Sequence, residues 1–277
     1  MTNKSIHQNR DINKSISFKE SPLIMGILNI TPDSFYDGGV YKSLDKAKIN
    51  SKYKFTDIVD IGCESTRPGS LRVDSEIQIK RLNIFLNKFK VFLDYPLSID
   101  STQPSVIKYA LENGFSIVND ISAGTESEEN FDLAKHFNSY LIIMHMQNSP
   151  YNMQDSPRYS NIVDNIFSFF EQRIEKSISY GLNTSQIILD PGFGFGKTLE
   201  HNLELLNSFD KFKSFECKMM AGVSRKSFLA VNNNKPDDRL LESLFAAKIL
   251  INKGVDILRV HDVNETHRLI NFLKKVQ

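Results

Sequence analysis

Asp100, Asn119, Asp190 and Lys226 each stand at or just after the end of a short apolar run. Two carboxylates accept N–H donors, a carboxamide both donates and accepts, and an ammonium donates. Gathered in one place, they match the edge of a flat heterocycle. A carboxylate facing two adjacent N–H groups forms a strong fork, and an amino-oxo pyrimidine edge offers that pair. The plainer alternative is an ion pair between Lys226 and one of the acids, since an isolated buried charge is costly. Arg259 and His261 lie two apart, so on a strand they point the same way, and Ser224-Arg225-Lys226-Ser227 adds a second cationic cluster. Two such clusters in a chain of net charge +1 point to an anion site. Asn29 could cap the turn into Thr31-Pro32, or lend its amide oxygen to Mg²⁺, an ion that keeps several waters and leans on substrate phosphates.

These residues need a scaffold that brings distant segments to one rim. Apolar runs at 23–28, 58–61, 97–99, 116–118, 141–144, 187–189, 219–223 and 255–258 each end in polar or charged residues, with helix-like segments between them. Eight strand–helix units predict a single closed parallel (β/α)8 barrel, an α/β fold of typically about 250 residues whose active sites lie at the C-terminal strand ends. The barrel would fill 21–277, behind a polar tail or hairpin of 1–20 set against its lower end. Ser75 and Gln78 read as a capping box, and Pro104 as a helix start that Gly114 stops. Further helices are expected over 161–180, from about 238 to 253, and over 267–276 behind a cap at Asp262 and Glu265. Ser224 to Ser227 would open the helix after strand seven, where free N–H groups commonly bind phosphate in this barrel.

Composition narrows the classes. Thirty-four Lys and Arg nearly balance 33 Asp and Glu, which leaves no field for nucleic acid or an anionic membrane. No apolar stretch approaches the roughly 18 residues of a membrane span, and the polar first 20 residues do not resemble a signal peptide. Cys63 and Cys217 make neither a disulfide framework nor a metal quartet, so a cytoplasmic protein is expected. Loops 30–42, 64–73, 145–160 and 191–198 exceed what a connection needs. Aromatic Phe35 and Tyr36 beside Gly38 and Gly39 suit a lid that closes over substrate. The segment DPGFGFGKT at 190–198 is not a P-loop, because Pro191 stands where that motif needs Gly. Its glycines would instead let backbone pass close under a ligand, with Phe193 or Phe195 as a wall. His145 reads as structure or pocket lining, and no Ser–His–Asp or Cys–His arrangement is suggested by spacing.

Taken together, MGILNITPDSFYDGG, DIGCESTRPG, SIDST, IVNDIS, MHMQ, ILDPGFGFGK, SRKSFL and RVHDV resemble, in order and spacing, the dihydropteroate synthase family over roughly residues 22–275. The resemblance implies condensation of 6-hydroxymethyl-7,8-dihydropterin diphosphate with 4-aminobenzoate, a Mg²⁺ cofactor and a homodimer. By analogy with the family, Asp100, Asn119, Asp190 and Lys226 would hold the pterin. Asn29, Thr66, Arg259 and His261 would hold the diphosphate, Asn29 also touching the metal. Phe35, Arg67, Pro68, Phe195 and Ser227 would surround 4-aminobenzoate, its carboxylate resting on the helix start at Ser227. Asp37 would help Asp100 and Asp190 favour a cation on the pterin methylene, while Lys226, Arg259 and His261 complete the catalytic set. Cys63, where the family usually has Gly, and Tyr36, where it usually has Ser, depart from the pattern without removing a chemical group. A pterin-barrel methyltransferase and a non-catalytic pterin-binding paralogue are the rival readings; the first would need no diphosphate cage, and the second predicts lost loop or anion residues.

Overall fold

The computed structural model describes residues 16–18, 22–30, 51–65, 69–89 and 94–276. Eight strands, β1 (Leu23–Asn29), β2 (Ile58–Gly62), β3 (Leu97–Asp100), β4 (Ile117–Asp120), β5 (Tyr140–Met144), β6 (Ile187–Asp190), β7 (Lys218–Ala221) and β8 (Ile257–Val260), pair in sequence order into a closed barrel. All eight pairings are parallel, and β8 closes on β1 with Met25 opposite Arg259. A parallel strand buried on both faces is apolar on both, and the side-chain period of two divides each run. Met25, Ile58, Ile117, Ile142, Ile188, Met220 and Ile257 fill the lumen, while Ile24, Val59, Ile61, Val118, Leu141, Leu189 and Leu258 pack outward against the helices.

The helices with both ends among the described residues are α1 (Ser75–Lys88), α2 (Pro104–Glu112), α3 (Glu129–His136), α4 (Ile162–Ser179), α5 (Leu199–Ser208), α6 (Leu240–Asn252) and α7 (Val263–Val276). Two expected boundaries shift. The N-cap of α1 is Asp74, whose carboxylate accepts from the Glu76 amide, and Gln78 reaches back to the Val73 carbonyl instead of closing a box with Ser75. The last helix begins at Val263, four residues before the expected start, because Asp262 already accepts from the Thr266 amide. The N-terminal segment is more than a polar tail where it is described: Ile16 is buried with the lower lumen residues, and Phe18 meets Tyr140 edge-on at 6.0 Å.

Candidate active site at the barrel rim

One layer above the apolar lumen, the inward positions become charged. Asp60, Asp100, Asn119 and Asp190 are all 5% exposed or less, and Arg259 crosses from β8 to meet them. Its Nη2 lies 2.6 Å from Asp60 Oδ2 and 2.7 Å from Asp100 Oδ2, and its Nε donates to the same Asp60 oxygen at 2.7 Å. The Asn119 Nδ2 also donates to Asp60 Oδ2, at 3.2 Å. Burial pushes the Asp100 carboxyl up to about 7, against the pull of Arg259. Burial opposes the Arg259 charge too, but Asp60 and Asp100 more than restore it. One oxygen each of Asp60 and Asp100 has no partner among the described residues, so the cluster keeps acceptor capacity for something that enters.

Asp190 spends one oxygen on the Gly192 amide, 2.8 Å away; burial raises its carboxyl, while that amide and Lys226 oppose the rise. The chain turns sharply after it. Gly192 has φ +69°, and a Cβ there would lie 2.0 Å from the His145 carbonyl oxygen, so only glycine fits. Lys197 fastens this turn: its buried ammonium donates to the carbonyls of Gly192 (2.9 Å), Phe195 (3.0 Å) and His145 (3.2 Å) and lies 3.1 Å from His145 Nδ1. An ammonium has no lone pair to offer, so His145 Nδ1 is the acceptor and its proton is on Nε2. Burial and then the Lys197 charge push that imidazole down to about 2.

Lys226 lies over the Phe195 ring, 4.0 Å from its centroid, with no carboxylate in salt-bridge contact among the described residues. The ion-pair alternative for Lys226 is therefore not what the structure shows. Burial, reinforced by Arg259, lowers its ammonium to about 8, while Asp190 and Asp100 pull it back. Asp100, Asn119, Asp190, Phe193, Phe195, Lys226 and Arg259 line one pocket. Phe195 and Phe193 are both walls, and the Phe193 ring also stacks with Phe209 and Phe228 at about 6 Å.

The anion cluster is reshaped. His261 Nδ1 lies 3.2 Å from Ser224 Oγ, which itself accepts from the His261 amide. The hydroxyl is then free to donate to Nδ1, leaving Nε2–H as the outward donor. Burial, then the charges of Arg259 and Arg225, push this imidazole down to about 3. Arg225 is bound to Asp262 at 2.5 Å and to Asp237, so its charge is already answered. The expected helix start at Ser227 is absent: 227–229 form one 3-10 turn, Ser227 is exposed, and α6 begins only at Leu240. Asn29 ends β1, and a Cβ on Gly62 would stand 2.9 Å from its Oδ1. Phe35, Asp37, Thr66, Arg67 and Pro68, Tyr36 and most of the proposed lid lie outside the described residues. Cys63 is fully buried in the outer core, away from the lumen.

Asp60 and Lys197 were missed by motif reading. Asp60 had a signal: an acid two residues after inward Ile58, inside a strand buried on both faces, must point into the lumen and find a cation.

The pattern of the pterin-binding enzyme family matches residues 25–261. The dihydropteroate synthase of Haemophilus influenzae is 38% identical over 253 residues, covering 90% of this chain and 92% of that protein. The Yersinia pestis dihydropteroate synthase in a sulfonamide drug complex superposes with TM-score 0.84 at 36% identity, covering 92% of this chain and 94% of the other. The Clostridium difficile dihydropteroate synthase in the presence of pteroic acid gives 0.82 at 37%, covering 92% and 96%.

Proposed function

The chain belongs to the dihydropteroate synthase family of pterin-binding enzymes, and we propose that its barrel rim condenses 6-hydroxymethyl-7,8-dihydropterin diphosphate with 4-aminobenzoate, releasing pyrophosphate. The observation that carries this reading is the convergence of Asp100, Asn119, Asp190, Lys226 and Arg259 on one pocket. Its acceptors suit the amino and ring N–H groups of a pterin, and the Lys226 ammonium suits a ring acceptor. Arg259 and the His261 Nε2–H suit the diphosphate, and Phe195 suits the arene of 4-aminobenzoate.

In the reaction the bond from the pterin methylene to the diphosphate oxygen breaks, and the electron pair leaves with pyrophosphate. Fixed donors aimed at that growing charge are worth about 2.7–4 kcal/mol each. Asp100 and Asp190 favour the cation left on the methylene. The arylamine nitrogen then forms the new C–N bond, and its proton goes to solvent. Ser227 is exposed and directly follows the pocket-lining Lys226, which supports contact with the 4-aminobenzoate carboxylate through its side chain, without a helix N-terminus.

The donors fit Mg²⁺ best as an ion that arrives with the diphosphate. Among the described residues no group of three or more His, Cys, Asp or Glu could hold a metal, whereas Asn29 offers one amide oxygen near the rim. When bound, the ion would neutralise charge on the phosphate oxygens.

A homodimer is supported by apolar stripes left exposed on neighbouring helices: Leu199 and Leu203 on α5, Leu241 and Phe245 on α6, Phe272 on α7. A cytoplasmic setting is supported by Cys63 and Cys217, both buried free thiols. The test is pyrophosphate release from the pterin diphosphate as 4-aminobenzoate is added. Release matched one-for-one by dihydropteroate is expected; pterin binding without turnover, or release indifferent to 4-aminobenzoate, overturns the assignment.

A further inference from the structure

Asp60 is a lumen carboxylate to which the functional reading gives no role, although it touches two groups that have one. It is fully buried on β2, and a single oxygen, Oδ2, receives Arg259 Nε, Arg259 Nη2 and Asn119 Nδ2 at 2.7, 2.6 and 3.2 Å. A carboxylate only accepts, so the end of the Asn119 amide that faces it must be the NH2 group. The two ends of a carboxamide are otherwise interchangeable in shape, and only hydrogen-bond partners distinguish them. With Nδ2 held by Asp60, Asn119 Oδ1 is turned away from it and makes no hydrogen bond among the described residues. The same anchor sets the plane of the guanidinium. Nε and Nη2 are committed to Asp60 and Asp100, which leaves Nη1 without a protein partner among the described residues on a side chain that lines the pocket.

We propose that Asp60 is a positioning residue: it presets Asn119 as an acceptor and Arg259 as an Nη1 donor toward the pocket, so that the site selects a heterocycle edge presenting an N–H to Asn119. This rests on the pterin reading for the identity of the ligand, but the clasp exists without one. A free amide could turn either way and would accept an edge with a donor or an acceptor at that point. The clasped amide rejects the second, because its buried oxygen would then face another lone pair.

The test has two arms. In the protein alone, side-chain amide exchange by NMR should show the Asn119 NH2 protons protected, with the same partner after 6-hydroxymethyl-7,8-dihydropterin diphosphate is added. An amide that is unprotected, or that reorients on binding, overturns the proposal even if the chain proves to be a synthase. The second arm is a double-mutant cycle on pterin diphosphate affinity with Asp60→Asn and Asn119→Ala, which reads coupling between touching residues. Asp60→Asn should weaken the pterin by tenfold or more with the KM for 4-aminobenzoate changed less than threefold. Its cost should shrink at least threefold when Asn119 is already Ala. Additive losses, or a stability loss with affinity intact, would mean Asp60 is merely structural. If Asp60→Asn does not fold, the exchange arm on the unaltered protein still decides. If the unaltered chain binds no pterin diphosphate, the functional reading fails and the exchange arm tests the clasp separately.

Discussion

The barrel lumen has two storeys built on the same eight strands. Below, Met25, Ile58, Ile117, Ile142, Ile188, Met220 and Ile257 meet with Ile16 closing the floor. Above, the same inward columns carry Asp60, Asp100, Asn119, Asp190 and Arg259. The lower storey is held by contact area, which is non-directional and additive in small increments. The upper storey is held by one guanidinium answering two buried carboxylates, so it stands or falls on a single residue. Removing one partner of such a pair costs far more than the pair contributes, because the remaining charges stay buried.

That contrast can be broken most severely at Arg259. Arg259→Met should lower unfolding free energy by roughly 3–5 kcal/mol, read by urea denaturation, and abolish condensation. A variant that keeps wild-type stability while losing activity would show that the carboxylates do not depend on it.

In the lower storey, Ile188→Ala should cost about 2–5 kcal/mol of stability, with kcat/KM of the folded fraction unchanged. A matching loss of activity would mean the storeys are not separable.

Lys226 offers a pH test of the upper storey. With its ammonium lowered to about 8, kcat/KM for the pterin diphosphate should fall about tenfold per pH unit above that value. Lys226→Arg should move the limb upward, and a profile flat to pH 10 would take Lys226 out of the binding set.

The smallest effect concerns His145 and His261. Both are held neutral in the fold, at about 2 and about 3, against an ordinary 6.5. The unfolded chain therefore binds more protons below 6.5, and their contribution to stability, present above that value, drains as pH falls from 6.5 toward 3. Asp100, raised to about 7, acts in the opposite sense: its contribution, present below 3.8, is lost as pH rises toward 7. Thermal midpoints of His145→Gln between pH 7 and 5 should fall less steeply than those of the unaltered protein. Equal slopes would show that His145 is not buried as a neutral ring.

Much of this is legible in the amino-acid sequence. The alternation in a run such as Ile58–Ile61, and the polar residue that ends each run, are local consequences of strand geometry, so strand count and rim residues could be read directly. Helix stops at Gly114 and Gly254 were equally local, both being glycines at positive φ. So was the start of α6, expected near 238 and observed at Leu240; the helix opening expected at Ser224 to Ser227 was not. Ser224 to Ser227 has the composition of a helix opening, yet Arg225 is drawn to Asp262 and Asp237 and the chain takes only a 3-10 turn.

What the chain determined by itself is the order of eight strands and which chemical groups reach the rim, because both follow from a backbone period that needs no knowledge of distant residues. What only closure of the barrel decided is who answers whom. Arg259 finds Asp60 across 199 positions of sequence, and Lys197 ties two carbonyls of its own turn, Gly192 and Phe195, to the His145 carbonyl beyond β5. A buried charge accepts whichever partner the lumen brings within about 3 Å, and that proximity exists only once β8 has paired with β1.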